Sequence, residues 1–291
     1  MISGISHLVM RVRHFVACRE TYCEKLGLPE IAMTVREDGR RACALVVGAS
    51  VLELREDPDA CPTLDPETGQ PLTSMYDDTA WVSHFAFPVT DAWARYHEFA
   101  ERGVHWTCQP SDQPVGHHLI RRRLIEFNDP ELLTVQLAER IDNQGQPLLL
   151  PDLDPDPARQ PWPGCDRIDH IMLNTADMAT KRRFYVEILG LQGAPPQPTR
   201  LGSQSDLAAG KTVLELIWQR TVVPPLHPGT VAEIGFAVHD VDRAYQVLSA
   251  RGLAVAPPVQ VSPFPGLDRR VLYLKDPDGL PLQIVQTTVP L

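Results

Sequence analysis

The stretch "IDHIMLNTADMATKRRFYVEILGL", residues 168–191, begins just after the midpoint of the 291-residue chain and nearly repeats its opening. The opening stretch is "ISHLVMRVRHFVACRETYCEKLGL", residues 5–28. Each copy places a histidine, His7 or His170, in a short apolar segment and continues into a helical segment that ends in Leu-Gly-Leu. The chain therefore contains an internal repeat, and equivalent positions are expected to take equivalent places in the fold.

The repeat continues beyond these two stretches. The segment "SVLELRE" (50–56) matches "KTVLELIWQ" (211–219), which sets Glu53 against Glu215. Both segments read as strands, because their apolar residues alternate with polar ones. The first and third units of the chain are thus copies of each other.

A second pair of units alternates with the first pair. The segment "HFAFPVTDAWARYHEFAERGV" (84–104) resembles "EIGFAVHDVDRAYQVLSARGL" (233–253), and "NDPELLTVQLAE" (128–139) resembles "KDPDGLPLQIVQ" (275–286). These matches set His84 against Glu233, and Gln136 against Gln283. The chain therefore has four units in the order A-B-A′-B′, and each unit reads as a strand, a helix and three further strands.

Residues 141–166 break the pattern. They are rich in proline and have no hydrophobic periodicity, which is typical of a semi-rigid linker. We therefore predict an N-terminal domain over residues 1–140, built from units 1 and 2, and a C-terminal domain over residues 167–291, built from units 3 and 4. A crossed arrangement, in which unit 1 pairs with unit 4 and unit 2 with unit 3, stays open.

Composition narrows the class of protein. The formal net charge is −10 and basic residues form only short runs such as Arg121–Arg123, so nucleic acid is not an expected partner. The start of the chain does not read as a signal peptide, and no stretch approaches the roughly 20 apolar residues of a membrane helix. The six cysteines form no C-x-x-C pair. We expect a cytoplasmic protein with reduced thiols, a small-molecule substrate and no membrane contact, and leave a homodimer open.

Alternation along the strands separates apolar from polar side chains. Successive side chains of a strand face opposite ways, so His7, Glu53, His84 and Gln136 lie opposite the apolar faces of their strands. If two units pair into one curved sheet, these four side chains could converge inside it. Two imidazoles and a carboxylate suit Fe(II), Mn(II), Zn(II), Ni(II) or Co(II), with Gln136 as a weak fourth ligand or a hydrogen-bond donor.

The motifs "SHLVMRV", "RFYVEILGL", "VLEL" and "YLKDPDGLPLQI" resemble the vicinal oxygen chelate superfamily, which includes glyoxalase I, extradiol dioxygenases and bleomycin-resistance proteins. The resemblance covers all four units. It implies an α+β fold of four βαβββ modules in two curved, half-barrel sheets. It also implies a metal site on the first and last strands of paired units. Carried over, these positions are His7, Glu53, His84 and Gln136, with a second site at His170, Glu215, Glu233 and Gln283. The crossed arrangement of units would instead group His84, Gln136, His170 and Glu215, again two histidines and one glutamate.

The sequence departs from the family at one position that matters for the reaction. The last strand of the second unit commonly carries a glutamate, as ligand or base, and here carries Gln136, with Gln283 in the repeat. A glutamine cannot act as a general base, which weakens an isomerase or epimerase reading. Glu53 could supply the carboxylate from the opposite side of the cavity.

Three functions follow from the resemblance. The first is an extradiol-type dioxygenase that uses Fe(II) and acts on a small catecholic or vicinal-oxygen substrate. The second is a glyoxalase-like, metal-dependent isomerase, lyase or epimerase with Glu53 or Glu215 as base. The third is a non-enzymatic resistance protein that binds a small molecule without metal. We rank the oxygenase first.

Two further groups are candidates for a role near the cavity. His117 and His118 precede a strand, and a histidine at the cavity mouth could transfer protons because its pKa lies near neutrality. An exposed loop is the alternative for both. Arg121–Arg123 alternate along a strand, so at least one should face the cavity or the surface, where it could bind an anionic group or remain solvated.

Overall fold

The structure is a computed structural model that describes most of the chain. The described residues are 1–60, 63–65, 67–75, 77–113, 121–142, 144–146, 148, 160–200, 202–221 and 226–287. Among them, no helix has both the length and the apolar character required to span a membrane.

Units 1 and 2 occupy the first half of the chain. The elements of unit 1 are β1 (Ile2–Val12), α1 (Phe15–Arg19) with a π-helical continuation (Glu20–Lys25), β2 (Glu30–Val35), β3 (Arg41–Val47) and β4 (Ser50–Glu56). The elements of unit 2 are β5 (Val82–Val89), α2 (Ala92–Glu101), β6 (Ser111–Gln113), β7 (Arg121–Asn128) and β8 (Thr134–Ile141).

Units 3 and 4 repeat this scheme. The elements of unit 3 are β9 (His170–Asn174), α3 (Met178–Arg183) with a π-helical continuation (Phe184–Ile188), β10 (Gln192–Gly193), β11 (Gln197–Pro198), β12 (Gly202–Ala209) and β13 (Thr212–Gln219). The elements of unit 4 are β14 (Val231–Val238), α4 (Val241–Ala250), β15 (Val259–Val261), β16 (Arg269–Lys275) and β17 (Pro281–Thr287).

Local sequence signals explain where the helices begin. Asp91, Asp177 and Asp240 precede α2, α3 and α4, and each carboxylate accepts hydrogen bonds from backbone amides of the first turn. These contacts satisfy amides that have no partner within the helix. In units 1 and 3 the helical segment is followed by a glycine, Gly27 or Gly190, whose φ angle of +79° or +80° favours glycine.

The described strands form two curved sheets. One sheet has eight strands in the order β15-β16-β17-β14-β1-β4-β3-β2, and the other has nine, with the path β10-β12-β13-β9-β5-β8-β7-β6 and β11 attached to β12. The first sheet therefore combines units 1 and 4, and the second combines units 2 and 3. In each sheet the first strands of the two units meet antiparallel, with His7 opposite Gly235 and Ala86 opposite His170.

The predicted pairing of units 1 with 2 and 3 with 4 is therefore wrong, and the crossed alternative is confirmed. Each sheet takes one unit from either side of the proline-rich segment, so the expected domains 1–140 and 167–291 do not correspond to the two sheets. The described end of that segment packs on unit 2, where the Trp162 ring contacts Phe87 and Phe99 and its Nε1 donates to the carbonyl of Pro88. Proline content indicates stiffness, and it does not determine which strand edges pair.

The apolar strand faces and the helices form the core. Leu8, Met10 and Leu54 are fully buried, and they belong to one hydrophobic cluster that also includes Phe99 and Tyr185 of the helical segments. The helical segments also connect the two sheets. The Tyr22 hydroxyl in unit 1 donates to Asp129 in unit 2, at 2.9 Å. The predicted arrangement of faces is confirmed, with helices covering the apolar side and polar residues on the other.

Candidate metal centre

The unit 2–unit 3 sheet brings four predicted ligand positions together. His84 lies on β5, Gln136 on β8, His170 on β9 and Glu215 on β13, and each side chain is at most 5% exposed. The strand order explains the convergence, because β5 and β9 are neighbours at the centre of the sheet and are flanked by β8 and β13. We call these four residues the 2–3 site.

Three of these side chains lie close enough to share one metal ion. The ligand atoms of His84, His170 and Glu215 all lie within 4.8 Å of one another. Within the described part of the chain, no other group of three or more His, Cys, Asp or Glu residues meets this criterion. The two imidazole rings are perpendicular, with centroids 5.3 Å apart. The two histidines thus present different edges to a common point.

His84 is suited to ligation because it is neutral. Burial, the neighbouring His170 and the Arg122 guanidinium lower the pKa of His84 to about 3, against a smaller opposing effect of Glu215. The His84 Nδ1 atom is buried and has no hydrogen-bond partner. A neutral imidazole with an unpartnered nitrogen is the form in which histidine binds metals.

A buried carboxylate orients His170. The Nδ1 of His170 lies 2.9 Å from Oδ2 of Asp169. Burial opposes ionisation of Asp169, but the hydrogen bond with His170 and the guanidiniums of Arg122 and Arg140 outweigh it and lower the pKa of the carboxyl. An ionised carboxylate accepts hydrogen bonds and does not donate them, so the proton is on Nδ1. In the tautomer with its proton on Nδ1, Nε2 carries a lone pair that points away from Asp169.

That lone pair faces a second acceptor. The Nε2 of Gln136 donates a hydrogen bond to Glu126 at 3.1 Å, and this bond sets the orientation of the amide. The Oε1 of Gln136 therefore points towards the Nε2 of His170, at a distance of 3.1 Å. With a neutral ring both atoms are acceptors, and a shared cation would stabilise their contact. Neighbouring ligands of a divalent ion with bonds of about 2.1 Å lie about 3 Å apart, which matches this spacing. The residues of the 2–3 site therefore fit a divalent metal.

Arg122 holds the carboxylate of the site. Its Nη1 donates to Oε1 of Glu215 at 2.5 Å, and both side chains are buried. One oxygen of Glu215 is thus anchored. Of Arg121–Arg123, Arg122 is the residue that faces this site, and it binds a protein carboxylate there.

The unit 1–unit 4 sheet gathers the other four predicted positions. His7, Glu53, Glu233 and Gln283 lie on β1, β4, β14 and β17, and we call them the 1–4 site. The predicted primary set (His7, Glu53, His84, Gln136) and the predicted second set (His170, Glu215, Glu233, Gln283) are therefore each divided between the two sheets. The cause is the crossed pairing of units.

The 1–4 site has a different arrangement from the 2–3 site. Its carboxylate Glu53 is bound by two guanidiniums, with Arg269 Nη1 at 2.5 Å and Arg55 Nη2 at 2.7 Å. Burial alone would raise the pKa of Glu53, but His7 and the two arginines hold it at about 2. The Glu233 carboxylate accepts a hydrogen bond from Gln283 and lies 3.9 Å from Nε2 of His7. These described residues do not form a compact ligand group of the kind found in the 2–3 site.

Sequence reasoning missed the residues that support the ligands. Arg122 and Arg269 occupy the same repeat position, and the match of "RRLIEFNDPE" (122–131) with "RRVLYLKDPD" (269–278) could have revealed them. Asp169 directly precedes His170, while Ser6 takes that place before His7. The other predicted candidates, His117 and His118, lie outside the described residues.

Comparison with solved structures supports the fold. Glyoxalase I from Zea mays superposes with a TM-score of 0.64 at 20% identity, covering 97% of this chain and 92% of that one. A proposed dioxygenase from Bacillus subtilis superposes with a TM-score of 0.69 at 15% identity, covering 99% of this chain and 86% of that one. At these identities the likeness establishes the fold and not the reaction.

Sequence comparison gives the family. The uncharacterised protein YaeR of Escherichia coli (strain K12) is 30% identical over 131 residues, which is 42% of this chain and 98% of that protein. The profile of one superfamily matches residues 4–137 and 167–284, which include all four units. With the paired-module fold and the histidine–carboxylate cluster, these matches show that the chain belongs to the glyoxalase/bleomycin resistance protein/dioxygenase superfamily.

Proposed function

We propose that the protein is a metal-dependent oxygenase of extradiol type, which uses the 2–3 site to act on a small catecholic or vicinal-oxygen substrate. The observation that carries the proposal is the donor set. Two imidazoles and one carboxylate, with ligand atoms within 4.8 Å of one another, are the set typical of non-haem Fe(II) oxygenases. Gln136 adds a neutral oxygen as a fourth donor, where a second carboxylate would make the ligand set more negative.

A divalent ion held by His84, His170 and Glu215 would supply Lewis acidity and open coordination positions for neighbouring oxygen atoms. The protein residues provide the surroundings. Asp169 fixes the tautomer of His170, so that Nε2 faces the site. Arg122 restrains Glu215, and burial of all these side chains excludes bulk water. Such a dry, rigid arrangement favours binding of a chelating substrate in one orientation.

A glyoxalase-like isomerase is the second candidate, and one observation favours it. Glu126 lies beside Gln136 and accepts a hydrogen bond from its amide, so a carboxylate is present next to the position where the family often has glutamate. It could serve as general base. Glu53, the base considered from the sequence, belongs to the other sheet, and Glu215 is bound by Arg122. The isomerase therefore depends on Glu126 alone among these three.

Oxygen consumption separates the two functions. Protein purified without oxygen would be loaded with Fe(II), or with Ni(II), Co(II) or Zn(II), and assayed on a catechol panel and on a thiol–aldehyde adduct. The proposal predicts oxygen uptake with Fe(II) and a catechol, abolished in His84→Ala and retained in the matched His7→Ala variant. Isomerisation of the adduct without oxygen uptake would support the second candidate. Tight ligand binding by metal-free protein without turnover would contradict both.

A further inference from the structure

The cavity of the unit 1–unit 4 sheet contains more basic side chains than the equivalent place in the other sheet. It has a volume of about 350 Å³, within the range of small-molecule sites. Three of its lining residues are arginines: Arg36, Arg55 and Arg269. We propose that this cavity binds a small organic anion, a carboxylate with an apolar body, and that it does so without a metal.

The internal repeat allows a position-by-position comparison of charge. Where the 1–4 site has Arg55 on β4, the 2–3 site has Ile217 on β13. Ala44 lies opposite Glu53, whereas Asp206 lies opposite Glu215. Each difference makes the 1–4 cavity more positive than its counterpart.

The strands contributed by unit 4 continue this trend. Tyr273 lies opposite Gln283, whereas Glu126 lies opposite Gln136. The two described carboxylates of the 1–4 site, Glu53 and Glu233, face three arginines. Asp38 lies 3.7 Å from Arg36 and compensates part of this charge, but the lining itself has three arginines and one carboxylate, Glu233, and so favours an anion over a cation. The 2–3 site, with Glu126, Asp206 and Glu215 around Arg122, suits a cation.

Arg269 retains unused hydrogen-bonding capacity in this cavity. Its side chain is 2% exposed and its Nη1 binds Glu53, yet the buried Nη2 has no hydrogen-bond partner. A buried guanidinium N–H without an acceptor costs free energy, which an anionic ligand would recover. Arg55 and Arg36 are partly exposed and line the same cavity, although Arg55 also binds Glu53 and Arg36 lies 3.7 Å from Asp38.

Part of the cavity wall is apolar. It is formed by Ala42, Val261, Pro263 and Phe264, and Phe264 is buried. Inorganic phosphate would leave this wall without contacts. A carboxylate attached to an aromatic or aliphatic body would use both walls, since burial of its apolar surface adds to the ion pair.

His7 also has a buried nitrogen without a hydrogen-bond partner, but its ring is placed differently from that of His170. Its ring lies against Gly235, so closely that a Cβ atom at this position would clash with it. The equivalent His170 faces Ala86, whose methyl group excludes that position of the ring. The His7 ring therefore takes a place that His170 cannot occupy. His7 contacts Ser6, at 3.3 Å, where His170 has the carboxylate of Asp169.

Calorimetric titration of the full-length protein with benzoate, phenylacetate, hexanoate and inorganic phosphate tests the proposal. We expect saturable binding of at least one organic carboxylate at a single site, with no binding of the neutral analogue benzamide. Treatment with EDTA should leave this binding unchanged. Arg36→Met and Arg55→Ile should each weaken it at least about tenfold, the loss of one charge-assisted contact. Arg13→Met, which removes an exposed charge elsewhere, should not.

Several results would overturn the proposal. They are the absence of saturable binding for all three carboxylates, loss of binding on EDTA treatment, wild-type affinity in both cavity variants, and tighter binding of phosphate than of every carboxylate. Oxygenase or isomerase activity at the 2–3 site is measured separately. If that activity is absent, binding of organic carboxylates to the 1–4 cavity is still tested by the titration. Failure of one proposal can therefore be distinguished from failure of the other.

Discussion

Asp169 accepts a hydrogen bond from His170 at 2.9 Å, with both side chains buried, whereas the repeat-equivalent His7 contacts a serine hydroxyl. The two histidines occupy equivalent repeat positions, but the Nδ1 of His170 has a carboxylate partner where the Nδ1 of His7 has a hydroxyl, and Glu233 lies 3.9 Å from the other nitrogen of His7. Such outer partners fix the tautomer of a ligand histidine and increase its basicity. The pair therefore distinguishes the proposed metal centre from the 1–4 site.

Replacement of this partner should weaken metal binding. Asp169→Asn removes the charge that stabilises the Nδ1–H form of His170, and we expect metal affinity to fall about 10- to 100-fold. Competition with a chromogenic chelator measures the affinity. The matched control is Ser6→Ala, which should leave it unchanged. An Asp169→Asn protein that folds normally and binds metal as tightly as wild type would show that Asp169 has no positioning role.

A carboxylate at position 136 should strengthen metal binding. Gln136→Glu supplies an anionic oxygen where Oε1 already faces His170, so affinity for Zn(II) or Ni(II) should rise roughly tenfold or more. The same competition assay measures the change. Gln283→Glu, the equivalent substitution in the 1–4 site, should leave metal affinity as in wild type. An equal gain in both variants would contradict a single metal centre.

Lys181 should be critical for stability. It is fully buried, and its Nζ lies 3.0 Å from both Asp276 and Asp278, while unit 1 has Cys18 at the equivalent position. Lys181→Met leaves these carboxylates without their cation and should lower the free energy of unfolding by about 3–5 kcal/mol. Urea denaturation measures it, with the exposed Lys275→Met as control. A loss below about 0.5 kcal/mol, as at ordinary surface positions, would refute this role.

Asp129 should make stability depend on pH. Burial raises the pKa of its carboxyl to about 7, although the backbone amides of Leu133 and Glu131 and the Tyr22 hydroxyl donate hydrogen bonds to it. The folded state therefore keeps a proton that the unfolded chain releases near pH 4. This contribution to stability is complete below about pH 4 and is lost as the pH rises to about 7, at about 1.4 kcal/mol per pKa unit of difference.

Asp129→Asn removes that titration. Between about pH 4 and pH 7, its free energy of unfolding should fall less steeply than that of wild type. Urea denaturation at several pH values, with Glu101→Gln on the exposed face of α2 as control, measures the slope. Identical slopes for wild type and Asp129→Asn would mean that Asp129 does not carry the proton.

Local patterns predicted the strand faces and the helix starts. The alternation around His7 and Glu53 correctly placed both residues opposite apolar faces, because the period of a strand is a local property. The caps at Asp91, Asp177 and Asp240 are also local, since each carboxylate binds amides of the following turn. For the same reason the repeat predicted the content of each unit.

The partners of each unit could not be predicted in this way. All four units present the same kind of first strand, so β1 could pair with β5 or with β14 on equal local grounds. The choice depends on contacts between residues far apart in sequence, such as the His7 ring against Gly235. The grouping of the ligands followed from this choice, which is why His7 and His84 were assigned to one site and lie in two sheets.

Metal stoichiometry of matched histidine variants tests the central claim most directly. Protein loaded with Fe(II) or Zn(II) without oxygen, then desalted, would be analysed for metal in wild type, His84→Ala, His170→Ala and His7→Ala. We predict about one ion per chain in wild type and in His7→Ala, and close to none in the other two, because unit 2 and unit 3 together hold the metal. Loss of the ion in His7→Ala, with retention in His170→Ala, would contradict the account.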